Sequence, residues 1–110
     1  MEQQDRRHSL RFPFDATAEF TEENSSSPVK ARVTEISLKG CYLQTAHPLP
    51  SGAPMVIKIF TEGNFFEAHA TVIYSKPEAG MGIVFRDAKP HFASVLKKWL
   101  LAAMLGKHSG

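Results

Sequence analysis

The chain is broken into short segments in which apolar and polar residues alternate, and that period of two limits its fold more than any other feature. Ala16, Ala18 and Phe20 alternate with Thr17, Glu19 and Thr21, the pattern of a strand with one buried face. Val29, Ala31 and Val33 resume the alternation, and Cys41 and Leu43 follow Gly40 on a shared expected face. Residues 55–60, 65–75 and 81–85 read as three further strands. Polar or turn-forming stretches separate them at 22–28, 47–54, 62–64 and 76–80. In the second of these, Pro48, Pro50 and Pro54 fix φ and remove ladder donors, so it is a connection and not a strand. Short strands with turn signals at near-regular spacing predict an antiparallel barrel or sandwich.

The period changes near the end. Phe92, Val95, Leu96, Trp99, Leu100 and Ala103 follow the i, i+3, i+4, i+7 rule, which predicts an amphipathic helix over about 90–105 with Trp99 as its core anchor. Pro90 suits the first turn and Gly106 the stop. Leu101, Met104 and Leu105 are left to pack on the barrel or on another chain. With 110 residues, 43% of them hydrophobic, the sequence supports one core. The expected organisation is a flexible arm at 1–11, an all-β domain with its helix at 12–106, and a tail at 107–110.

Several function classes recede at this level. A net charge of +2 announces no general polyanion partner, so neither DNA nor RNA is expected. Cys41 is the only cysteine, which excludes an internal disulfide and a multi-cysteine zinc site and suits a reducing cytoplasm. The five histidines form no i, i+4 pair, so no metal is expected. Charged residues from Glu2 to Arg7 argue against a signal peptide, and the apolar run at 99–105 is far short of the ~20 residues that span a bilayer. No order of Ser, His and Asp and no paired carboxylates stand out, so neither an enzyme nor a cofactor is expected.

Two polar motifs carry the chemistry. Arg7-His8-Ser9-Leu10-Arg11 places two guanidinium groups four residues apart just before the first strand, with Arg6 adjoining. A guanidinium is a planar fork that pairs bidentately with phosphate oxygens or with the O6/N7 edge of guanine, and its face stacks on a base. Glu35-Ile36-Ser37-Leu38-Lys39-Gly40 then sets a carboxylate, a hydroxyl, a cation and a glycine at a strand end. The hydroxyl can donate to an anion or accept from a guanine N–H, and glycine permits φ > 0 or close backbone approach to a ligand.

Together these motifs resemble the RxxxR and [D/N]xSxxG signatures of the PilZ domain, a bacterial receptor for cyclic di-GMP, and Gly80-Met81-Gly82-Ile83-Val84-Phe85 resembles that family's late strand. The resemblance implies a six-stranded antiparallel PilZ-type barrel with a C-terminal helix. It also implies cyclic di-GMP as ligand, held by Arg7 and Arg11 with Ser37 and Gly40 completing the pocket. Arg6, directly before the motif, implies two intercalated ligand molecules per chain, with Lys39 helping to neutralise their phosphates. Glu35 departs from the family's Asp or Asn; it keeps the carboxylate but adds a methylene. The expected function is a cytoplasmic effector that orders its arm on binding and changes contacts with a downstream protein. The alternative is a PilZ adaptor that contacts proteins without nucleotide.

Overall fold

The computed structural model describes residues 10–106, so the readings that fall on 1–9, including Arg6 and Arg7, and on the tail lie outside the described residues. Six strands, β1 (Phe12–Glu22), β2 (Val29–Ile36), β3 (Gly40–Gln44), β4 (Pro54–Thr61), β5 (Asn64–Lys76) and β6 (Gly80–Asp87), are followed by one helix, α1 (Pro90–Met104). All neighbours are antiparallel, and the ring closes in the order β1-β2-β3-β6-β5-β4. Closure leaves no sheet edge unpaired.

The period of two sorts side chains as read from the sequence. Phe14, Ala16, Ala18 and Phe20 of β1 point inward with Val33, Ile36, Leu43, Ile57, Ile59, Val72 and Met81. Phe66 is buried while its neighbour Phe65 stays on the surface, one inward and one outward. At one end α1 supplies Val95, Leu96, Trp99 and Leu100 to the same core. Trp99 reaches in to lie 5.4 Å from Phe14 and 6.3 Å from Phe66, ring centre to ring centre, so the helix is docked by aromatic contact. Pro90 occupies its first turn, where a missing N–H costs nothing.

Register shifts interrupt the strand ladders at four points, one of them at Val33–Glu35 beside the motif turn and one at His69–Ala70. In β5 the register with β6 slips between Val72, opposite Ile83, and Tyr74, opposite Gly82, leaving Ile73 as the extra residue. This β-bulge carries Ile73 and Tyr74 to the same region of the surface, although neighbours on a regular strand face opposite sides. The extra residue lies on β5, opposite the Gly82–Ile83 step of β6. In β1 the register with β2 slips between Pro13 and Ala16.

Candidate functional site

The Glu35 to Gly40 motif is the β2–β3 connection. Glu35 and Ile36 end β2, Ser37, Leu38 and Lys39 make the turn, and Gly40 opens β3. The turn is closed by Ser37. Its backbone N–H donates to the Gly40 carbonyl at 2.8 Å. Its hydroxyl donates to the same carbonyl at 3.2 Å and accepts from the N–H groups of Lys39 at 3.2 Å and Gly40 at 3.1 Å. One donor and two lone pairs are thus all used, and Ser37 is buried. The serine shapes the loop from within.

Gly40 is required by proximity, not by backbone sign. A Cβ here would collide with the carbonyl oxygen of Ile83 on β6, and Gly40 is not among the residues with positive φ. Its bareness lets β3 close on β6 beneath the turn. The Phe85 N–H then donates to the Lys39 carbonyl at 2.7 Å, tying the turn to β6.

Above this junction lies a cleft of about 520 Å³. Arg11 enters it from the residue before β1, Ser37, Lys39 and Gly40 from the turn, Ile73 and Tyr74 from the bulge, and Gly82 from β6. The Arg11 guanidinium lies 3.4 Å from the Glu35 carboxylate, joining the two sequence motifs in space. Both side chains are about half exposed, so the pair is worth at most ~1 kcal/mol and leaves Arg11 free to be recruited. Glu35 itself does not line the cleft; it stands behind Arg11.

No sequence motif points to Tyr74. Its ring lies across Gly82, where any side chain would overlap it. It stacks on Tyr42 with ring centres 6.3 Å apart, and the Lys76 ammonium is 5.9 Å from its centre. The tyrosine is thus held flat and backed by a cation. Cys41 reaches the cleft floor, but burial pushes its thiol pKa far up, so it is no nucleophile there. No group of three or more His, Cys, Asp or Glu side chains converges among the described residues.

The site is therefore an apolar-walled cleft, within the ~300–1,000 Å³ of small-molecule pockets, with Arg11 and Lys39 as its cations among the described residues. Such an arrangement suits a ligand that combines flat rings with negative charge. A family model for the PilZ domain matches residues 5–102, nearly the whole chain. The chain belongs to the PilZ domain family.

Solved PilZ structures share the barrel at low sequence identity. The inhibitor of motility MotI/DgrA of Bacillus subtilis superposes with a TM-score of 0.76 at 16% identity, over 94% of this chain and 54% of that one. The PilZ domain of Escherichia coli YcgR, solved with cyclic di-GMP, gives 0.75 at 16% identity, over 92% and 93%. The apo form of K. pneumonia MrkH gives 0.70 at 20% identity, over 91% and 51%. The chain thus spans about half the length of MotI and MrkH and nearly all of the YcgR PilZ domain. No curated protein matches the sequence. Arg11, Ser37, Lys39 and Gly40 of the PilZ motifs meet in the cleft, and Tyr74, Ile73 and Gly82 join them.

Proposed function

We propose that this PilZ protein is a non-catalytic receptor for cyclic di-GMP. The observation that carries the reading is the convergence of Arg11, from RxxxR, with the Ser37–Gly40 turn on one cleft whose wall is Tyr74. Arg11 and Lys39 supply positive charge for the phosphates, and Ile73 and Tyr74 offer an apolar wall for a guanine. Glu35 holds Arg11 in place at the cleft, ready to meet a phosphate. Arg6 and Arg7 add forks from the preceding arm, enough for a second intercalated ligand, and the arm becomes ordered as they engage. Cyclic di-GMP bound to the YcgR PilZ domain supports the choice of ligand.

Signal output then passes to a downstream protein, in the cytoplasm, through the newly ordered arm. No described helix is long and apolar enough to cross a membrane. A second reading, a PilZ adaptor that works without nucleotide, is favoured by one feature: Arg11 already holds a carboxylate and the Ser37 hydroxyl is fully engaged within its turn. Calorimetric titration with cyclic di-GMP, with GTP and single-stranded DNA as controls, separates the two. Saturable heat with cyclic di-GMP alone supports the receptor; none supports the adaptor.

A further inference from the structure

A second cleft, of about 480 Å³, runs between α1 and the β1–β4 side of the barrel. Trp99 and Ala102 form its helix wall, and Phe14, Thr17 and Phe60 face them. At its mouth stand Asp15, Arg32 and Glu62. Arg32 is committed to Asp15 at 2.8 Å, and Glu62 has no ion-pair partner among the described residues, so the mouth carries one net negative charge.

Directly beside this groove the same helix exposes a ridge. Lys98, Leu101 and Leu105 fall at i, i+3 and i+7 and share one stripe, next to the stripe of Ala102. Leu101 is 57% exposed and Leu105 62%, an apolar surface that water would favour covering. The stretch Pro90–Met104 contains two lysines and no acidic residue, so the ridge is positive where the groove mouth is negative. An apolar groove and an apolar ridge of opposite charge, side by side on one chain, are self-complementary about a two-fold axis.

We infer that the chain pairs with a second copy of itself, each helix laying Leu101 and Leu105 into the partner's groove and each Lys98 meeting a Glu62 across the two-fold axis. The pairing leaves the nucleotide cleft open, because β1 and β4 lie opposite β3 and β6 in the closed ring. It does not depend on the cleft's ligand.

Sedimentation velocity on the full chain over a wide concentration range tests this. The unmodified protein shows a monomer–dimer equilibrium. Leu101→Glu combined with Leu105→Glu, at exposed positions, weakens self-association at least tenfold with unchanged circular dichroism. Glu62→Lys alone also weakens it, and Glu62→Lys with Lys98→Glu restores it by exchanging the charges. A monomer at every concentration, or a dimer that either the leucine pair or Glu62→Lys leaves intact, overturns the inference.

Discussion

The Tyr74 ring lies across the bare backbone of Gly82, its cross-strand partner, and that contact shapes one wall of the cleft that Arg11 enters. A methyl at position 82 would occupy the space of the ring itself. Gly82→Ala should therefore displace Tyr74, destabilising the fold by ~1–3 kcal/mol as overpacking does and lowering ligand affinity. Urea unfolding reads the first effect and calorimetry the second. Tyr74→Ala provides the contrast, because it removes the wall without overlap and should cost binding more than stability.

Ser37 is expected to act through the turn. Its hydroxyl, itself buried, satisfies the N–H groups of Lys39 and Gly40 and bonds the Gly40 carbonyl. Ser37→Ala leaves these groups with fewer partners, and should cost ~1–3 kcal/mol in the absence of any nucleotide. Chemical denaturation of the ligand-free protein checks it. Unchanged stability would return the hydroxyl to a role at the ligand.

Arg11 should behave in the opposite way. Its pair with Glu35 is half exposed, so Arg11→Ala should alter stability by no more than ~1 kcal/mol. The loss of charge-assisted bonds to phosphate should weaken cyclic di-GMP binding at least ~10–100-fold. Glu35→Asp, which restores the family's shorter side chain, should tighten binding, and Glu35→Ala should weaken it. The same calorimetric titration reads all three variants. An alanine variant that binds more tightly would mean that the carboxylate competes with phosphate for Arg11.

Much of this architecture is legible in the sequence because burial enforces periodicity. Alternation at Ala16, Ala18 and Phe20 marks an inward strand face, and the spacing from Phe92 to Leu100 marks the helix that carries Trp99 into the core. The motif turn can be placed because Glu35 and Ile36 end a strand and glycine follows. Tyr74 cannot. Its position in the cleft depends on a one-residue slip between β5 and β6, and Ile73-Tyr74 looks like ordinary alternation until both strands are paired. The one clue is Gly82, whose missing side chain implies a neighbour needing the room. Ser37 is legible as important but not as self-contained, since a hydroxyl's partners are set by backbone geometry that no local pattern states.

Cys41 gives a pH dependence with a definite sign. Burial raises its thiol pKa well above the ordinary value of 9.0, because a thiolate cannot be solvated in the core. In the unfolded chain the thiol ionises at its ordinary pKa, so the unfolded state binds fewer protons at higher pH. Its contribution to stability is fully present below 9.0 and declines as pH rises above it, by up to ~1.4 kcal/mol per pH unit. Denaturation midpoints at rising alkaline pH should fall more steeply for the native chain than for Cys41→Ala. Iodoacetamide should also fail to label the folded protein at neutral pH, and rapid labelling would show the thiol to be accessible.

Ligand stoichiometry tests the role proposed for the arm. Among the described residues Arg11 and Lys39 are the two cations that line the cleft, a match for the two phosphate charges of one cyclic di-GMP. Two intercalated ligands bring four, and the added charge calls for further forks from Arg6 and Arg7. Native mass spectrometry should count two nucleotides on the unmodified chain and, for Arg6→Ala, a shift toward one, since the second ligand then lacks its own fork. Fixing each arm residue costs ~1–2 kcal/mol, so the arm should become ordered only when several charged contacts form together. Backbone amide relaxation should accordingly show the arm at 1–11 stiffening at saturation in the native chain and less so in Arg6→Ala. A single bound nucleotide on the unmodified chain would remove the second ligand as the reason for Arg6.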